Sequence, residues 1–158
     1  MISKERFKAL KYLKKEFDSL QNYPSEALGY TVGLNEDRDI FHWKISLMGP
    51  LDTPYAGGMF FLTVDFPERY PEFKPEVKFI NKIYHLNVSP SNGHVDINIL
   101  NAWKPETPFY NVLTSIFILF YKQNPSCAYS SQMAREYESN RKEFNRKAKE
   151  WTQKFAPM

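Results

Sequence analysis

Cysteine is nearly missing from this chain. Cys127 is the one thiol among 158 residues, so no disulfide can close within it. A reducing compartment, cytosol or nucleus, is the expected setting. There is no CxxC pair. Glycine is sparse, at six, and none falls in a GxGxxG or GxxxxGKS/T pattern, so no phosphate-cradling loop and no cofactor are expected. No run approaches the roughly 18 apolar residues of a membrane span, and insertion in a bilayer is not expected. The first 17 residues lack the continuous apolar stretch of a secretory signal. They are basic and amphipathic, but Glu5 and Glu16 speak against a transit peptide, so an organelle is left open without being favoured.

What is present fits one folded unit with one core: 42% of residues are hydrophobic and 25% charged. The net charge of +3 is unevenly spread. Residues 1–23 carry six Lys/Arg against three acids, residues 133–158 seven against four, and the middle eight against eleven. A basic N-terminal helix suits a negatively charged partner surface, or is simply a solvated face. No interleaving of aromatic and basic residues points to nucleic acid.

Phe7, Leu10, Leu13, Phe17 and Leu20 recur at helical steps, predicting a helix that ends before Pro24. Phe41, Trp43, Ile45 and Leu47, then Phe60, Leu62, Val64 and Phe66, alternate with more polar neighbours and predict two half-buried strands. A third, short strand is expected over 76–80 and a weaker one over 29–34, giving an antiparallel meander. No period is visible from Asn81 to Pro108, and so long an irregular stretch in a compact unit is often functional. Helices follow near 109–122, 131–138 and 140–155. The first of these, with Val112, Leu113, Ile116, Phe117 and Phe120, reads as buried. Ser130 and Ser131, and then Ser139, are candidate caps, and Phe144, Ala148, Trp151 and Phe155 form a last stripe. The fold class is α+β, with helices segregated from the sheet.

The irregular stretch contains 85-HLNVSPSNGHVDINILNAWKP-105, which has the look of a catalytic segment and yet no nucleophile. Together with 41-FHW-43, 48-MGPLDTPYAGGMFFLTVDFPERYP-71, 82-KIYHLN-87, 103-WKP-105, 124-NP-125 and 149-KEWTQKFA-156, it resembles the ubiquitin-conjugating enzyme (UBC) family. The resemblance implies the UBC fold over residues 9–158, with 1–8 as an N-terminal extension. It also implies a role for His85 in holding the loop and for Asn87 in stabilising an oxyanion. In the family a cysteine that accepts ubiquitin as a thioester sits in a run aligned with 93-GHVDINIL-100, and there the residue is Asp96. A carboxylate is a weak nucleophile, and its attack on a thioester would give an anhydride, uphill and readily hydrolysed. Leu86 replaces the proline of the family's His-Pro-Asn, and Cys127 falls where an acidic residue positions the incoming lysine.

The resemblance therefore implies a catalytically inactive relative. Its partners would be proteins: ubiquitin, an active conjugating enzyme, or a multi-subunit assembly. Two alternatives stand beside this, an active enzyme whose cysteine has been replaced by Asp96, and an unusual one using Cys127. The family's activating-enzyme surface corresponds to the basic first helix with Lys11, Lys14 and Lys15. Its RING-ligase surface corresponds to Glu72 with Phe73 and to Lys104, Pro105 and Glu106, where Glu72 and Glu106 replace apolar or small residues. His85, His94 and Asp96 lie close enough in sequence to suggest metal ligands, but their spacing matches no standard motif, and no metal is expected.

Overall fold

The computed structural model describes residues 2–22 and 29–158. Helix α1 (Lys4–Asn22) buries Ala9, Leu13 and Leu20, with Leu10 and Phe17 packed partly against the core. Phe7, expected on the same stripe, is 52% exposed, and the Lys11 ammonium lies 4.7 Å from its ring centre. At roughly 100° per residue, Phe7 falls about 120–160° round the helix from the three buried positions. Pro24, expected to stop this helix, lies outside the described residues.

Four strands follow: β1 (Tyr30–Leu34), β2 (His42–Met48), β3 (Met59–Asp65) and β4 (Glu76–Phe79). They form one sheet in chain order with every pairing antiparallel, the expected meander. The register sets Ile45 opposite Val32 and Leu62, and Leu62 opposite Phe79, so the apolar partners share one face. Trp43, Ile45, Leu47, Phe60, Leu62 and Val64 all point into the core. Full burial of such side chains stabilises by about 1.5–3 kcal/mol each.

That face is covered by helix α3 (Phe109–Tyr121), with ring centres of Trp43 and Phe109 5.3 Å apart and those of Phe60 and Phe120 5.5 Å apart. Phe17 of α1 closes the other side of Trp43 at 5.4 Å. α3 is not buried all round as its composition suggests: Phe117 is half-buried, and Ile118 and Tyr121 are exposed.

The chain finishes with α4 (Ser131–Ser139) and α5 (Arg141–Phe155). Ser130 caps α4 by accepting from the Met133 N–H at 3.2 Å, and Ser131, the other candidate, is the first residue of the helix instead. Ser139 does not cap α5. It ends α4, and its hydroxyl donates to the Arg135 carbonyl at 2.6 Å, the back-bonding open to a serine one turn on. Asn140 takes the capping role, accepting from the Glu143 N–H at 3.3 Å. Phe144 packs against Tyr84 and Tyr137 at 4.9 and 5.0 Å, so α5 holds down the start of the long segment after β4. Among the described residues no helix is long and apolar enough to cross a membrane.

Candidate functional site

The segment between β4 and α3 lacks a period because its order comes from long-range bonds. Tyr55, fully buried, donates to the Tyr84 carbonyl at 2.6 Å and accepts from the Gln123 amide at 2.7 Å. The same Gln123 accepts from the Leu86 N–H at 2.7 Å, a donor that a proline at this position would lack. The Leu86 carbonyl in turn accepts from the Tyr129 N–H at 3.0 Å. Gly93 has φ 79°, and a Cβ there would lie 2.2 Å from the Phe79 carbonyl oxygen, so the loop can close on β4 only with glycine. One turn of helix, α2 (Asn98–Asn101), interrupts the stretch that the sequence reads as irregular throughout. At four residues it is too short to show a hydrophobic period.

His85 is buried and uses both ring nitrogens, Nε2 with the Leu119 carbonyl at 2.9 Å and Nδ1 with the Asn87 N–H at 3.0 Å. Burial holds its pKa down to about 4, with the Leu119 bond opposing, so it is neutral at pH 7. Asn87 is 0% exposed. Its Nδ2 donates to the Asn124 carbonyl at 2.8 Å and its Oδ1 accepts from the Asn124 N–H at 2.9 Å, a two-point clamp between the segment and the turn after α3.

Asp96 follows on the same frame, its N–H donating to the Asn87 carbonyl at 2.8 Å. The side chain is half-buried, and Oδ1 accepts from Asn101 Nδ2 at 2.6 Å. Cys127 sits in a 3-10 turn (Pro125–Cys127). Its thiol donates to Asn98 Oδ1 at 3.4 Å and receives Asn124 Nδ2 at 3.6 Å. Burial, and secondarily the charge of Asp96, raise the Cys127 thiol above its ordinary pKa. The same two causes raise the neighbouring Tyr129 hydroxyl. The structure thus brings Asp96, Asn87, His85 and Cys127 to one locality, joined by amides to which the sequence assigns no role: Asn98, Asn101, Asn124 and Gln123. No local spacing signals those four, because they lie up to 37 residues from their partners.

His94 is not brought to His85 and Asp96 as a metal set would need. It pairs instead with Glu76 at 3.2 Å, since the strand-like bridge to Lys78 carries it alongside β4. A different group, Asp37, Asp39 and His42, places one ligand atom each within 4.8 Å, but Arg6 already pairs with Asp39 at 3.7 Å and His42 with Asp65 at 2.7 Å. These residues lie outside the segment just described.

Of the candidate partner-contact residues, Lys11, Lys14 and Lys15 are exposed along α1. Glu72 and Phe73 lie on one loop and Lys104, Pro105 and Glu106 on another, all exposed. The indole of Trp103 donates to the Pro71 carbonyl at 2.8 Å and so ties the two loops together. A larger cleft, about 590 Å³, opens between α1 and the start of α3 and is lined by Glu16 and Tyr110. Both Glu16 oxygens are already taken, one by the Tyr70 hydroxyl at 2.6 Å and one by the Phe109 N–H at 2.7 Å.

A helix-flanked antiparallel meander with a long ordered segment before the central helix defines a class of protein, and solved structures of that class match throughout. A Plasmodium yoelii protein described as a ubiquitin conjugating enzyme is 31% identical, with TM-score 0.84, covering 99% of this chain and 97% of its own. The E2 domain of a Toxoplasma gondii ubiquitin conjugating enzyme is 32% identical, with TM-score 0.81, covering 92% and 98%. The family description for ubiquitin-conjugating enzymes matches residues 12–152. The chain belongs to the ubiquitin-conjugating enzyme family.

Proposed function

We propose that this chain is a member of that family that works by binding other proteins and does not carry ubiquitin as a thioester. The observation supporting this most directly is Asp96, which we read as standing at the family's acceptor position. Its side chain is joined to an asparagine amide, and burial and the Asp96 charge push the pKa of the one thiol in reach above its ordinary value, which disfavours the nucleophilic thiolate. Two further features support the reading. The Asn87 amide, which would have to donate to a developing oxyanion, is committed to Asn124. Leu86 uses an N–H that the family's proline lacks.

Ubiquitin, an active conjugating enzyme, or a multi-subunit assembly is the proposed kind of partner. The α1 lysines and the loop pair tied by Trp103 are the proposed contact surfaces. Residues 9–158 are the proposed domain, and cytosol or nucleus the proposed compartment, on the strength of the single cysteine.

The test is incubation with activating enzyme, ATP and ubiquitin, followed by a non-reducing gel. The expected result is no reductant-sensitive conjugate. A conjugate that disappears in Cys127→Ala would make Cys127 the acceptor and end this reading.

A further inference from the structure

On the turn between β1 and β2, Asp37 and Asp39 lie beside His42, the first residue of β2. One possible ligand atom from each lies within 4.8 Å of the other two. We infer that these three side chains form a binding site for a divalent transition-metal ion of the zinc type. His42 Nε2 and one oxygen each of Asp37 and Asp39 would hold the ion, with water completing its shell. The site stands apart from the segment around Asp96, and the inference does not depend on how that segment is read.

The imidazole distinguishes this group from a patch of surface acids. His42 stands opposite Asp65 in the β2–β3 register, and its Nδ1 bonds Asp65 Oδ1 at 2.7 Å. That bond uses one ring nitrogen, leaves the other to ligate and fixes the direction of the ring, as the carboxylate behind a metal-bound histidine does. Nε2 lies 4.0 Å from Asp37 Oδ2 and 3.9 Å from Asp39 Oδ2. Those distances are too long for hydrogen bonds. Donors sharing one tetrahedral zinc stand about 3.4 Å apart, so roughly half an ångström of side-chain closure brings them onto a common ion.

The carboxylates are aimed as well. Asp37 Oδ1 accepts from the Asp39 N–H at 3.1 Å, and Asp39 Oδ1 from the Phe41 N–H at 2.9 Å. In each, the other oxygen is the one nearest the ring. Charge calls for a cation. Asp37, Asp39 and Asp65 gather three negative charges. Among the described residues, their one ion pair apart from those with His42 is Arg6 with Asp39, at 3.7 Å. One nitrogen and two oxygens suit zinc and its neighbours, whereas magnesium and calcium prefer oxygen throughout. Arg6 competes for the same Asp39 oxygen, so its removal should tighten binding of the ion.

The experiment is an NMR titration of the whole 15N-labelled chain with zinc chloride, with magnesium chloride as the control. Cys127→Ser is run in parallel, because the lone thiol beside Asp96 is the rival zinc ligand. Saturating shifts are expected at the amides of Asp37, Asp39, His42 and Asp65 below about 1 mM zinc, unchanged in Cys127→Ser and missing with magnesium. His42→Gln should abolish them. Asp65→Asn, which alters the group behind the ring and no ligand, should weaken binding by about 10- to 100-fold. Arg6→Gln, which touches no ligand either, should tighten it by about two- to fivefold, the scale of one surface ion pair. Amide dispersion before zinc is added shows that each variant is folded.

Four results would each overturn the inference. The first is no localised saturation up to about 1 mM zinc. The second is shifts centred on Cys127 that vanish in Cys127→Ser, and the third is unaltered binding in His42→Gln. The fourth is equal shifts from magnesium, the mark of a diffuse cation cloud around three acids. Weaker binding in Arg6→Gln would do the same, since a competitor's removal cannot loosen the ion.

Discussion

Cys127 and Asp96 work against each other at the scale of single residues. A thiol becomes reactive when a cation or a helix N-terminus lowers its pKa, and Cys127 has the opposite neighbour. Burial and then the Asp96 charge keep it protonated. Replacing Asp96 by asparagine keeps the shape, preserves an oxygen for Asn101 and removes the charge. Iodoacetamide alkylation of Cys127 at pH 8 should then run about two- to fivefold faster, because more of the thiol is ionised while burial still opposes it. An unchanged rate would mean that burial alone sets this thiol. The pairing was readable from the sequence only through alignment to the family motif. Of the asparagines that hold both residues in place, Asn98 and Asn101 look like ordinary loop residues until the chain is folded, and Asn124 stands out only as part of the 124-NP-125 motif, which says nothing of its bonds.

Between elements, Glu16 joins α1 to the rest of the molecule. One oxygen accepts from the Tyr70 hydroxyl and the other from the Phe109 N–H, an otherwise unpaired donor at the start of α3. Burial raises the Glu16 pKa, and the two hydrogen bonds work against that rise. Glu16→Ala leaves the Phe109 donor and the Tyr70 hydroxyl without partners, and should lower stability by about 2–4 kcal/mol in urea unfolding. A loss below about 0.5 kcal/mol, the range of ordinary surface changes, would show that water replaces the carboxylate at no cost.

The sequence made Glu16 look like one more charge on a helix, whereas the sheet was open to view. Strict alternation in 41–47 and 60–66 marks which side chains enter the core, because the side-chain period of a strand is two. Where the reading went astray, at Phe7, Ser139 and the α2 turn, the deciding contacts are tertiary or the element is shorter than one hydrophobic repeat.

Across the whole molecule, acid should act through the buried His85. Its folded pKa, about 4, lies below the roughly 6.5 of an unfolded histidine, so its contribution is complete above the unfolded value and is lost as pH falls toward 4. The full span corresponds to about 3 kcal/mol. His42 runs the other way. Its bond to Asp65 raises its pKa, so its contribution is present at low pH and lost as pH rises through the folded value. Comparing the chain with His85→Asn in urea at pH 7 and pH 4.5 cancels His42, and the pH dependence should be visibly flatter in the variant. Parallel curves would mean that His85 is protonated without loss of the fold.

If the chain is non-catalytic as proposed, the same buried frame limits what a single change at Asp96 can restore. Asp96→Cys supplies the thiol, but the Asn87 amide that would donate to the oxyanion is held by Asn124. Loss of one such donor commonly costs 100- to 1,000-fold in rate. On the proposed alignment Cys127 takes the place of a carboxylate that would position the attacking amine, and Glu72 and Glu106 put charge on the loops where ligase contacts are proposed. Asp96→Cys should therefore give at most a faint ubiquitin thioester and little ligase-stimulated discharge. The measurement is single-turnover charging and discharge beside an active family member in one buffer. Rates within about tenfold of that enzyme, a gap of ~1.4 kcal/mol, would mean that Asn87 swings free when needed and that the site is intact apart from one residue.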